Sequence, residues 1–131
     1  MCVVGLMSRM VGAELPMFTY DEAYGKTDSG FRGAMAENYV LDNIVSQFGR
    51  PPRCWRDGRN EVDFVLQSGT SVVPVEVKSG TKVRTSSLRE YIDWYSPERA
   101  VVLSMNPPRG GDVMILPLCL AWMLRDVIEG R

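Results

Sequence analysis

Histidine is absent from this chain, and its absence removes the commonest general base and every catalytic triad built on it. Cysteine is scarce. Cys2, Cys54 and Cys119 make no CxxC pair and no paired framework, so neither a structural zinc site nor a disulfide-stapled fold is expected. Three unpaired thiols suggest a reducing, cytoplasmic setting. Neither sign of charge predominates: 15 Lys and Arg against 16 Asp and Glu leave a formal net charge of −1. A domain that coats nucleic acid is usually strongly basic, so only a local basic groove remains open. No GxxxxGK[ST] loop occurs, which excludes nucleotide binding of the P-loop kind. Long apolar runs are missing too. The longest, Val113 to Leu124, contains Pro117 and falls short of the ~20 residues a membrane helix needs. The N-terminal run is broken by Arg9 and Glu14 and has no cleavage signature, so no signal peptide is read there.

What remains is a single-domain length of 131 residues with 45% hydrophobic residues, enough to bury a core. Residues 5–13 read as a short helix ended by Leu15-Pro16, and residues 19–30 as a polar loop. From Phe31 to Phe48 the pattern is helical, with Leu41, Ile44, Val45 and Phe48 on one stripe and Gly49 and Pro51 as the stop. Arg53–Arg56 is a short strand, and Asp57-Gly58 is a hairpin signal. Asn60–Gln67 alternates as a second strand, and Ser68-Gly69 turns the chain into a third over Ser71–Ser79. Pro74 belongs at that strand's start or beside a bulge. Ser87 to Glu90 has the spacing of a capping box, and Leu88, Tyr91, Ile92 and Tyr95 recur at helical spacing behind it. Arg99–Met105 and Val113–Leu116 are further strands, and Pro117 opens a terminal helix. The order α-β-β-β-α-β-β-α predicts an α/β domain with a mixed sheet flanked by helices.

Charges interrupt this apolar frame at telling places. In "PVEVKSG", Glu76 and Lys78 stand two residues apart and so share a strand face. On the preceding strand Val62, Phe64 and Leu66 share one face and Asp63 lies on the other, within reach of Glu76 and Lys78 across the hairpin. One turn before Leu41, Glu37 extends the apolar stripe of the first helix. Taken singly, each has an ordinary reading: Glu37 as a helix-end carboxylate turned to solvent, Glu76 and Lys78 as an exposed ion pair, Glu61 as a flanking charge. Together, three acids and a lysine arrive at one place from three elements. That set suits phosphodiester hydrolysis, in which two carboxylates fix a weakly held Mg²⁺ or Mn²⁺ and a lysine orients or deprotonates the attacking water.

Asp63 followed after twelve residues by Glu76-Val77-Lys78, behind a helical acid, resembles the signature of the PD-(D/E)XK nuclease superfamily, whose restriction-endonuclease-like core has a similar element order. A fuller resemblance rests on "AENYVLDNI", "WRDGRNEVDFVL", "VVPVEVKSG", "SLREYIDWYSPERAVVLS" and "ILPLCLAWML". These look like the C-terminal, nuclease-like domain of certain archaeal and bacterial AAA-type ATPases. The resemblance implies Asp63, Glu76 and the Val77 carbonyl as metal ligands, Glu37 as a ligand through water, and Lys78 as the catalytic lysine. Valine precedes Asp63 where the signature has proline. DNA is the implied substrate and an ATPase module the implied partner. Arg50, Arg53, Arg56, Arg59, Lys82, Arg84 and Arg89 are available to flank a groove. The alternative is an inactive docking or DNA-binding module. Residues 1–18 would then be a docking or capping segment, and with Leu120, Trp122 and Met123 they lead to the expectation of a homodimer.

Overall fold

The computed structural model describes residues 29–131. The helix expected over 5–13, the docking segment over 1–18 and all but the last two residues of the loop expected over 19–30 lie outside the described residues; Ser29 and Gly30, expected in that loop, instead open the first helix. The architecture is the expected α/β one: a five-stranded mixed sheet flanked by helices. Helix α1 (Ser29–Phe48) leads into β1 (Arg53–Asp57), β2 (Asn60–Ser68) and β3 (Ser71–Val77). Helix α2 (Ser86–Tyr95) follows, then β4 (Ala100–Ser104), β5 (Val113–Pro117), a 3₁₀ segment (Leu118–Met123) and α3 (Leu124–Glu129). Strands run in the order β1-β2-β3-β4-β5, with antiparallel pairs up to β3 and parallel pairs from β3 to β5. No helix among the described residues is long and apolar enough to cross a membrane.

Two apolar layers hold the sheet. On one side Val40 and Ile44 of α1 pack with Leu66, Val73, Val75, Val77, Val101 and Leu103, and with Ala121, Leu124 and Ile128 from the chain's end. On the other, Leu88 and Tyr91 of α2 pack with Val62, Ala100 and Val102. The buried stripe of α1 is therefore Val40 and Ile44 flanked by Ala36, Tyr39 and Phe48, while Val45 is 40% exposed. This is a turn of about 100° from the expected stripe, one residue's worth, and it moves Glu37 off the core-facing side.

The parity expected for β2 is also corrected. Arg53 pairs with Val65 but Trp55 with Val62, so two steps along β1 match three along β2. The additional residue is a bulge at Asp63–Phe64. It reverses the alternation, sending Val62 to the α2 layer while Phe64 and Leu66 stay with the α1 layer. Pro74 sits inside β3 opposite Val65, one residue before the parallel ladder to β4 begins at Val75, so its missing donor interrupts no rung of that ladder.

Ser87 and Glu90 do not cap α2, which starts earlier at Ser86 with Thr85 before it. Both side chains turn to Asn60 instead: the Asn60 amide donates to Glu90 Oε2 at 2.5 Å, and Ser87 Oγ lies 3.4 Å from Asn60 Oδ1. The terminal helix is likewise split, because Leu118–Met123 winds as 3₁₀ before α3 begins. Of its apolar residues, Leu120 packs on the core and Trp122 stays 59% exposed.

Gln47 ties the two ends of the fold. Its amide donates to the carbonyls of Asn43 (2.8 Å) and Ala121 (2.9 Å), and its carbonyl accepts from the Arg125 N–H (2.9 Å). Gln47→Ala would leave the Ala121 carbonyl and the Arg125 N–H without these partners. A loss of about 1–3 kcal/mol is expected in chemical denaturation. A change within about 0.5 kcal/mol, the range of an ordinary surface substitution, would show that the link is not structural.

Candidate functional site

The bulge in β2 builds the site. The regular β2–β3 ladder ends at Phe64–Val75, and beyond it Asp63 supplies a side chain where a strand would supply a carbonyl. Its Oδ2 accepts the Val77 N–H at 2.7 Å. This ties the carboxylate of one strand to the Glu76-Val77-Lys78 segment of the next. Val77 turns its own side chain into the core, 5% exposed. Lys78 is held in turn by its N–H, which donates to the Leu103 carbonyl at 2.8 Å.

Glu76 is the anomaly. It is 4% exposed in a strand whose other residues are apolar or small, and strand alternation places it opposite Val75 and Val77, level with Val102 of β4. Its Oε1 accepts a close hydrogen bond from Lys78 Nζ. Its Oε2 is buried with no hydrogen-bond partner. A buried carboxylate oxygen left in this state is costly.

Electrostatics show which acids share the site. Burial raises the carboxyl of Glu76 above its usual range; the Lys78 hydrogen bond opposes this, while the charges of Asp63 and Glu37 add to it. Asp63 is raised chiefly by burial, against the Val77 N–H and Lys78. Glu37 is exposed, yet partial burial of its carboxyl and the charges of Asp63 and Glu61 raise it, with Lys78 opposing. All four expected side chains thus act on one another, with Glu37 at the rim, coming from the helix layer on the other side of the sheet. Glu61, read as a flanking charge, also belongs to this field. It perturbs both Asp63 and Glu37 while pairing with Arg56 at 2.6 Å. Its shared strand parity with Asp63 was the available signal.

Among the described residues no three acids or cysteines are gathered tightly enough to form a ready cage for a metal. Mg²⁺ needs less: one or two carboxylates, with water and substrate oxygens completing its shell. Asp63 and Glu76, on neighbouring strands and with the unpartnered Glu76 Oε2, fit that demand. A cleft of about 340 Å³ lined by Phe48, Arg50, Arg53, Leu66 and Val72 lies at the opposite end of β2 and β3, beside the Ser68–Ser71 turn. It contains no acid and does not compete as a reaction centre.

The span that carries all four side chains also decides the family. Residues 32–119 match the family described as "Domain of unknown function (DUF4143)". The chain belongs to that family. No curated protein and no solved structure matches it. In this DUF4143 domain the bulged strand, the buried glutamate and the lysine all lie inside the matched region, so they are features of the domain itself and not of a flanking segment.

Proposed function

We propose that this domain is a metal-dependent hydrolase of nucleic-acid phosphodiesters. The observation that carries the reading is the buried, half-satisfied Glu76 carboxylate beside Lys78, on a strand bonded to Asp63 through the Val77 N–H. Asp63 and Glu76 would hold Mg²⁺ or Mn²⁺, with Glu37 reaching it through water and the Val77 carbonyl next to it. A bound ion there supplies charge stabilisation at the phosphoryl oxygens and a water of lowered pKa. The residues of the chain do the rest. Lys78 keeps the Glu76 carboxylate charged and places an ammonium where charge develops on the phosphate. Glu37, with its raised carboxyl, is suited to take up or return a proton at the rim. Exposed Arg59, Lys82, Arg84 and Arg89 make no ion pair among the described residues and are available to phosphates.

The second reading is a docking module for an ATPase, to which the sequence resemblance points. The observation that favours it is the Glu76–Lys78 pair itself, which closes the site on its own charge. Nicking of supercoiled plasmid separates the two. With millimolar Mn²⁺ or Mg²⁺ present, and not with EDTA, the purified domain should convert plasmid to the open circle, and Mn²⁺ should raise its melting temperature. Neither nicking nor a thermal shift would leave the docking reading standing. Sedimentation at micromolar concentration then tests the homodimer, toward which Trp122 offers an exposed apolar side chain.

A further inference from the structure

We infer that Trp55, Trp94 and Tyr95 form a stacking platform for the unpaired bases of single-stranded nucleic acid. The inference names the substrate class of the site proposed above and rests on that reading for what happens to the bound strand. In a chain of net charge −1, "RCWRDGR" sets three arginines around one tryptophan against a single aspartate. It forms the edge strand β1 and its turn, where every residue but Trp55 is exposed. Helix α2 supplies the other rings. Tyr91 is its buried root, 6% exposed, and one turn further on Trp94 and Tyr95 are 55% and 56% exposed.

The rings are organised. Trp55 stands edge to face with Tyr91, Trp94 and Tyr95, at centroid distances of 5.3, 6.0 and 6.3 Å. Its indole N–H points to the Tyr95 hydroxyl at 3.4 Å. Tyr91 packs against Tyr95 at 4.7 Å. An array of this kind exposed to water is not needed for the core, which closes at Tyr91. Charge decides what covers it. Arg53 and Arg59 make no ion pair among the described residues and are free to meet phosphates, while Arg56 lies on the opposite face of β1 and pairs with Glu61. Exposed rings with Arg53 on the same face of β1 as Trp55 and Arg59 in the turn that follows match a strand that offers bases on one side and phosphates on the other. A duplex keeps its base faces stacked away from such rings, so the preference is for unpaired strands. Trp55 is paired with Val62, the neighbour of Asp63, so a strand laid over the platform runs toward the acidic site.

The test uses the full chain in EDTA, where cleavage cannot occur. Anisotropy of a labelled oligothymidylate of about 16 nucleotides should show binding at about 50 mM salt, tighter than that of a duplex of equal length, with quenching of tryptophan fluorescence. Trp94→Ala and Tyr95→Ala should each weaken it roughly 5- to 150-fold, the loss of one stacked base. Tyr95→Leu keeps an apolar contact to Tyr91 and serves if the alanine variant melts early; it should weaken binding in the same range. Equal affinity for duplex and single strand, or unchanged affinity in these variants, overturns the platform. So does a fluorescence change that follows protein concentration and not oligonucleotide, which would assign the rings to a second copy of the chain. Ring-dependent binding without metal-dependent nicking keeps the platform and removes the hydrolase. Nicking unaffected by the rings does the reverse.

Discussion

Asp63→Asn is expected to lower metal-dependent nicking by roughly 10²–10³-fold, the range for removing one charge-stabilising group from a reaction centre, while leaving the fold at least as stable. The asparagine carbonyl can still accept the Val77 N–H, so the link that joins the bulged strand to β3 survives. What disappears is a negative charge whose carboxyl is raised mainly by burial, which is to say one that the fold holds at a cost. The neighbouring Glu76, which feels the Asp63 charge, is relieved as well. Activity and stability should therefore move in opposite directions, as they do where a site carries strain for function. Nicking rates and thermal melts on one preparation check this. A variant that loses activity and stability together would show Asp63 to be a structural residue only.

Lys78→Met should destabilise the domain by about 3–5 kcal/mol at pH 8, because it strands a buried carboxylate. The Glu76 side chain is 6% exposed, Lys78 Nζ is its hydrogen-bonding partner, and its other oxygen has none. The effect should depend on pH, with a definite sign. Glu76 is raised in the folded protein above its ordinary value of 4.5, so the folded state binds the proton more tightly than the unfolded chain does. Stability then falls as pH rises from that ordinary value through the folded value, and is level above it. Lys78 lowers the Glu76 carboxyl both by hydrogen bond and by charge, so its removal pushes the folded value higher and widens the window. The loss measured by denaturant should shrink as the pH is lowered toward the ordinary carboxyl value of 4.5, because the raised Glu76 carboxyl takes up its proton above that point. Adding Glu76→Gln should recover much of it. An equal loss at both pH values would mean that the lysine acts through its packing and not through its charge.

Much of the architecture is legible without coordinates, since the signals that specify it are local. Alternation of period two, the Asp57-Gly58 and Ser68-Gly69 turns and the helical spacing before Gly49 place α1 and all five strands to within a residue or two. The common direction of Glu76 and Lys78 follows from their spacing alone and is seen as a direct contact. Where the chain departs from these readings, a competing partner has overridden the local signal. Ser87 and Glu90 have the spacing of a capping box, but Asn60 on β2 takes both side chains. The stripe of α1 is turned by one residue, so that Val40 and Ile44 pack on the sheet and Gln47 meets Ala121 and Arg125, far away in sequence.

The candidate site divides along the same line. Sequence by itself determined the fold class, the identity of the four charged residues and the pairing of Glu76 with Lys78, because a strand's pleat and a helix's turn are properties of neighbouring residues. Only the tertiary structure decided that β2 bulges at Asp63, that Val62 leaves the face of Phe64 and Leu66, that Glu76 is buried with one oxygen unpartnered, and that Glu37 and Glu61 act on Asp63 from the rim. Each of these depends on which segments pack together, and burial and long-range charge belong to the assembled layers and not to any stretch of chain within them.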